Sequence, residues 1–226
     1  MEFHVYENAR AACEAAGVLI AAQITRKGDS VLGLATGSTP IPAYEMLVQW
    51  YDRGVIDFDR VRTFNLDEYV GIDHKNPLSY HAFMQEHLFS KVNLRKENVH
   101  LPSGNAAADV EAYDKAIHAA GGIDMQVLGI GRNGPADDFT YGTHVVTLAA
   151  DTIEANARFF KSADEVPRQA VSMGIGNIMA AKCVVLVATG ENKAQAVYDT
   201  IRGPITPHVP ASILQLHPCC VILTDR

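Results

Sequence analysis

Short apolar runs alternate with longer stretches of helical periodicity along the chain. Ser30–Ala35 (SVLGLA) reads as a buried strand, Ile41–Trp50 as a helix and Val61–Asn65 as a second strand. Ser79–Phe89 has helical character, and Ala106–Ala119 is an alanine-rich amphipathic helix. Asp124–Ile130 (DMQVLGI), His144–Leu148 and Cys183–Ala188 (CVVLVA) read as strands, Asn192–Ile201 as a helix and Cys220–Thr224 as a closing strand. Apolar runs separated by helices of this length predict crossover units and a mainly parallel sheet, an α/β fold with helices on both faces. No internal repeat, low-complexity tract or linker interrupts the pattern, so residues 1–226 are expected to form one domain. In such sheets ligands sit at the carboxyl ends of the strands. The segments 36–40, 65–71 and 131–142, which follow strands, are therefore where chemistry is expected.

The remaining bulk properties narrow the partners. Hydrophobic residues make up 48% of the chain and charged residues 20%, as in an ordinary globular protein. The formal net charge of −7 argues against nucleic acid or an anionic membrane as the main partner. It leaves room for a small anionic substrate, because a few local donors outweigh a diffuse charge. The segment Met1-Glu2-Phe3-His4-Val5 carries no basic region followed by an apolar run, and no apolar stretch approaches the ~20 residues that span a bilayer. The expected location is the cytoplasm. Cys13, Cys183, Cys219 and Cys220 show no C-x-x-C spacing and are expected to be small core residues in a reducing compartment, rather than a metal site or a disulfide framework. Cys219 and Cys220 would point to opposite faces of a strand.

Three segments carry candidate chemistry. Ala35-Thr36-Gly37-Ser38-Thr39-Pro40 joins a strand to a helix, and its glycine, hydroxyls and free N–H groups suit a phosphate cradle at a helix N-terminus. The same residues read equally well as a helix cap, with Ser38 or Thr39 capping and Pro40 near the first turn. Phe64-Asn65-Leu66-Asp67-Glu68-Tyr69-Val70-Gly71 places two adjacent carboxylates at a strand end, either a base with its neighbour or a solvated turn. Leu128-Gly129-Ile130-Gly131-Arg132-Asn133-Gly134 suggests a tight turn beside a ligand, but lacks the full dinucleotide pattern.

Taken together and in order, ATGSTP, FNLDEYVGI, LGIGRNG, THVVTLAADTIEANARFF, GENKAQAV and PASILQLHP resemble the glucosamine-6-phosphate deaminase family over nearly the whole chain. The phosphogluconolactonases share that fold and a phosphate loop, but not, as a rule, the NLDEYVG and ANARFF segments. The resemblance implies conversion of glucosamine 6-phosphate and water to fructose 6-phosphate and ammonia, without an organic cofactor. It implies that Asp67 moves a proton between C2 and C1 of the opened sugar. It further implies that Thr36, Gly37, Ser38 and Thr39 hold the phosphate, with Arg158 and Lys193 supplying positive charge. Asn133 stands where the family keeps Asp or Asn in its ring-opening group.

There the resemblance breaks. The family continues after Asn-Gly with His-Ile-(Gly or Ala)-Phe-Asn-Glu-Pro, whereas here Gly134 is followed at once by Pro135. The loss of one hexapeptide removes the ring-opening histidine and the glutamate that orients it. His144 starts the next strand, where the resemblance implies no catalytic role, His74 and His81 are expected to be packing or surface residues, and Asp137 and Asp138 lie on the wrong side of Pro135 to replace the lost glutamate. A strongly impaired enzyme is expected, or alternatively a sugar-phosphate-binding pseudoenzyme or sensor. The family's allosteric members use basic residues near this loop. The stretch Tyr141–Val146 has no Arg or Lys, so the short, unregulated type is expected, monomeric or homo-oligomeric.

Overall fold

In a computed structural model, residues 1–130, 139–148, 153–154, 157, 160 and 165–226 are described, with backbone alone at 106, 107 and 109. The strands are β1 (Glu2–Tyr6), β2 (Val31–Leu34), β3 (Arg62–Asn65), β4 (Asp67–Tyr69), β5 (Val99–His100), β6 (Met125–Gly129), β7 (His144–Thr147), β8 (Gln169–Ser172), β9 (Val184–Ala188) and β10 (Cys220–Asp225). The helices are α1 (Ala9–Arg26), α2 (Ile41–Asp52), α3 (Tyr80–His87), α4 (Ala106–Ala119), α5 (Ile175–Ala180) and α6 (Ala194–Arg202).

Seven strands form one parallel sheet in the order β1-β10-β9-β6-β2-β3-β5. Strands β2 and β9 are apolar throughout because both faces are covered, and every residue of each is buried, while β6 between them carries the buried Gln126. Helices α1, α2 and α3 pack on one face, over Leu32, Leu34, Val127, Val185 and Val187. Helices α4 and α5 cover the other, over Val31, Phe64, Val184, Leu186 and Ile222. The result is the three-layer α/β arrangement expected from the sequence.

From β2 the chain moves outward to β3 and β5, then returns through α4 to β6 on the opposite side of β2. The gap between β2 and β6 is thus the topological switch point, where adjacent connections diverge and leave a crevice beyond the strand ends. The register Leu34↔Asn65 brings the carboxyl ends of β2 and β3 level, and Gly33↔Gln126 carries β6 two residues further to Gly129 at the same edge.

Strands β1, β4, β5 and β8 and helices α1 and α5 fall outside the predicted elements, and two departures bear on the fold most. Helix α1 falls outside the predicted elements, because its buried face is made of Ala12, Cys13, Ala16, Gly17 and Ala21 around Ile20 and Ile24, weak in hydropathy although well packed. Asn8 caps it, accepting a hydrogen bond from the Ala11 amide at 3.0 Å. The second departure is His144–Leu148, which forms β7 but belongs to a separate antiparallel sheet, β4-β8-β7. That small sheet anchors the segment 139–142 over α5. The Ile175 and Gly176 amides donate to the carbonyls of Thr140 and Tyr141 at 2.9 Å. A Cβ on Gly174 would collide with the carbonyls of Tyr141 and Gly142, so this close approach requires glycine.

Candidate functional site

The loop between β2 and α2 opens the site. Gly37 has φ +94°, a left-handed conformation, and no atom lies within 4 Å of where its Cβ would be. Gly37 and Ser38 are exposed and Thr36 and Thr39 half-buried. The expected cap by Ser38 or Thr39 does not form: Pro40 holds the cap position of α2 without a side-chain hydrogen bond, and Pro42 lies in the first turn. The hydroxyls of Thr36, Ser38 and Thr39 stay free of hydrogen bonds among the described residues, beside the unsatisfied N–H groups of a helix start. Helix α2 is tied back underneath by the Tyr44 hydroxyl, which donates to the Ala35 carbonyl at 2.6 Å.

One strand over, β3 leads through Leu66 into β4. The Leu66 amide donates to the Leu34 carbonyl at 3.0 Å, so Asp67 emerges directly beside the Thr36 loop. The alternative of a solvated turn for Asp67-Glu68 is overturned, because both lie on β4, paired with Ser172 and Val171.

The two neighbouring carboxylates have separate fates. Glu68 is fully buried and accepts hydrogen bonds from the backbone amides of Tyr69 (2.9 Å), Tyr80 (3.0 Å) and His81 (2.9 Å). Two of those donors are the first amides of α3, so Glu68 supplies the charge complement of that helix's N-terminus, while Ser79 caps the Ala82 amide at 3.0 Å. Asp67 makes no such bonds. Burial, and secondarily the Glu68 charge, push its carboxyl from 3.8 up to about 7. The Tyr80 phenol is raised well above its ordinary value by burial and then by Asp67. Tyr80 packs against Tyr69 with ring centroids 4.5 Å apart. A carboxyl with a value near neutrality, half-open to a crevice, suits proton transfer.

Glu68→Ala is expected to strand one buried and two partly buried amides and destabilise the fold by about 2–4 kcal/mol. Urea unfolding checks this, and an unchanged midpoint would contradict the anchoring role.

Lys193 ends the turn Glu191–Lys193 that follows β9, and is half-buried. Strand β9 neighbours β6, so this turn belongs to the same carboxyl edge as the Thr36 loop and Asp67. Asn133, Arg158 and the Gly134–Pro135 junction lie outside the described residues, as do Asp137 and Asp138. His74 and His81 stack on each other with centroids 5.0 Å apart beside the start of α3. His144 opens β7, its Nδ1 2.9 Å from the Gly142 carbonyl. No group of metal-binding side chains occurs among the described residues, and no described helix is long and apolar enough to cross a membrane.

Sequence reasoning missed three participants. Tyr80 and the anchoring role of Glu68 depend on where α3 docks, for which the Ser79 cap was the one available signal. Asn65 is fully buried at the end of β3, two residues before Asp67, and both polar atoms of its amide lack a partner. The sequence holds no mark of that.

Known proteins place these features in context. The glucosamine-6-phosphate deaminase of Thermoanaerobacter pseudethanolicus is 51% identical, covering 93% of this chain and 87% of the relative. That of Clostridium botulinum is 50% identical over 236 positions, covering 100% of this chain and 94% of the relative. The match is longer than the 226 residues of this chain, so that relative carries residues with no counterpart here. A solved monomeric glucosamine-6-phosphate deaminase superposes with a TM-score of 0.96 at 37% identity, covering 100% of this chain and 98% of the other. Residues 6–221 match the family described as glucosamine-6-phosphate isomerases/6-phosphogluconolactonase, and to that family this chain belongs.

Proposed function

We propose that this chain is a glucosamine-6-phosphate deaminase in its site and ancestry, with turnover strongly impaired by the missing hexapeptide. The observation that carries this reading is the separation of the Asp67-Glu68 pair. One carboxylate is consumed in anchoring α3, and the other is left with a value of about 7 beside an open, hydroxyl-lined loop at the switch point.

The chemistry explains the arrangement. The open-chain aldose must become an enolamine before the C2 nitrogen leaves. Asp67, as carboxylate, takes the C2 proton and returns it to C1. The resulting imine is hydrolysed to fructose 6-phosphate and ammonia. Thr36, Gly37, Ser38 and Thr39 bind the 6-phosphate through hydroxyls and helix-start amides, with charge from Lys193 and Arg158, and so fix C1 and C2 over Asp67. Asn133 belongs to the ring-opening group that the deletion truncates. In this reading the protein is a cytoplasmic hydrolase of amino-sugar catabolism that uses neither metal nor organic cofactor, and residues 1–226 form one domain. It takes hexosamine 6-phosphates, and N-acetylglucosamine degradation supplies its substrate.

The break after Gly134 favours a second reading, a sugar-phosphate-binding pseudoenzyme that keeps the pocket and has shed the chemistry. Ammonia release from glucosamine 6-phosphate, measured beside a thermal shift with the same ligand, separates the two. Binding without any release identifies the pseudoenzyme, and release that depends on Asp67 identifies the enzyme.

Both readings require binding. Hexose 6-phosphate at a hundredfold excess over its dissociation constant adds roughly 2.7 kcal/mol to stability, raising Tm by on the order of 5–10 °C. Lys193→Ala is expected to weaken that response, and a flat titration with every hexose 6-phosphate would remove the basis of both readings.

A further inference from the structure

At the sheet edge opposite the candidate site, Cys183 and Cys219 immediately precede β9 and β10. Those strands pair in parallel with the register Cys220↔Val184, and the Val184 amide donates to the Cys219 carbonyl at 2.8 Å. The two cysteines are therefore direct cross-strand neighbours whose side chains share a face. Adjacent strands lie roughly 4.8 Å apart, inside the range of about 4.4–6.8 Å between Cα atoms that a disulfide spans. The two Sγ atoms are 2.8 Å apart. All four cysteines are free thiols, but they differ in access: Cys13 and Cys220 are buried, Cys183 is partly buried and Cys219 is exposed. Cys219 is thus not the core residue the sequence led us to expect.

We propose that Cys183 and Cys219 form an oxidative modification site, a thiol pair that closes to a disulfide when the protein meets hydrogen peroxide.

The exposed Cys219 meets the oxidant first. Its thiolate attacks one peroxide oxygen, the O–O bond breaks, and Cys219 becomes a sulfenic acid as hydroxide leaves and is protonated to water. Cys183 then attacks the Cys219 sulfur. The S–O bond breaks, the S–S bond forms, and the departing hydroxide takes the Cys183 proton as a second water. Two thiols and one peroxide thus give one disulfide and two waters. Burial and the neighbouring Cys219 push the Cys183 thiol up to about 12, which makes Cys183 the resolving partner rather than the first to react. Its placement against Cys219 offsets that low thiolate fraction by proximity. The new bond ties β9 to β10 at their amino ends, away from Asp67, and restricts the unfolded chain between Val184 and Pro218.

Peroxide treatment of the folded full chain, read by intact mass, peptide mapping and thermal melting, tests this. The expected product is lighter by two hydrogens, carries a Cys183–Cys219 cross-linked peptide, melts higher and reverts fully with a dithiol reductant. Cys13 and Cys220 serve as unreacted internal standards. Cys219→Ser and Cys183→Ser should each abolish the cross-link and the rise in Tm. Accumulation of Cys219 sulfinic or sulfonic acid with Cys183 still free would overturn the proposal, as would no loss of thiols at all.

Discussion

Inserting His-Ile-Gly-Phe-Asn-Glu between Gly134 and Pro135 is expected to raise ammonia release from glucosamine 6-phosphate by two orders of magnitude or more. Ring opening moves a proton between the C1 hydroxyl and the ring oxygen, and a positioned acid–base group contributes ~10²–10⁴-fold to such a step. This chain runs from Gly134 straight to Pro135 and so, on the proposed reading, lacks both the group and the carboxylate that orients it. Asp67, the Thr36–Thr39 loop and Lys193 already stand at one sheet edge, so the insertion adds to a pocket rather than building one. The same insertion with alanine in place of its histidine restores length without the acid–base group. It should recover substrate affinity but little rate, which separates a lost wall from a lost catalyst. Strand connections accept such length changes readily, because closure entropy varies slowly with loop length. Equal turnover by the unrepaired and repaired chains would mean that another residue opens the ring.

How far this was readable from sequence depends on what each residue packs against. Strands β2 and β9 declare themselves because burial on both faces demands unbroken apolar runs. Helix α1 does not, because its buried face is built of small residues such as Ala16 and Gly17, which let it lie close to α2, rather than of strongly apolar ones. A Cβ on Gly17 would come within 3.0 Å of the Ala43 carbonyl. Strand β4 was equally hidden: Asp67-Glu68-Tyr69 has two charges in three residues, and its partner β8 is brought alongside by the tertiary fold alone. Within the candidate site, the order of the motifs pointed to the Thr36–Thr39 loop and to Asp67. It did not say that Glu68 is consumed by α3, that Tyr80 packs on Tyr69 near the Asp67 charge, or that Asn65 keeps an unpartnered amide, because those facts belong to docking rather than to local pattern. The Ser38/Thr39 cap failed for the converse reason. Pro40 enters the helix directly, which leaves the hydroxyls to the crevice.

Asp67→Asn is expected to abolish residual turnover and, at the same time, to make the protein more stable above neutral pH. The amide has the shape of the carboxyl but cannot take the C2 proton, so the whole of the Asp67-dependent rate is lost, ~10²-fold or more. The stability gain follows from linkage. Burial raises the folded Asp67 from 3.8 to about 7, so from about pH 4 to 7 the native state holds a proton that the unfolded state has released. The native state binds more protons across that window, and stability falls as pH rises through it, levelling off above about 7. Asn carries no such cost. The variant should match the parent near pH 4 and exceed it at pH 8. At about 1.4 kcal/mol per tenfold change the ceiling is roughly 4 kcal/mol. Asp67 keeps partial solvent access, which brings the expected gain to about 1–2 kcal/mol, a few degrees in Tm. Activity of the parent should rise with pH through about 7 as the carboxyl ionises and becomes a base. Thermal melts of both proteins at pH 4 and 8, beside a pH–rate profile of the parent, check the three results together. Loss of activity with loss of stability at pH 8 would instead mean that Asp67 holds the fold, and the base would have to be sought elsewhere along the same sheet edge.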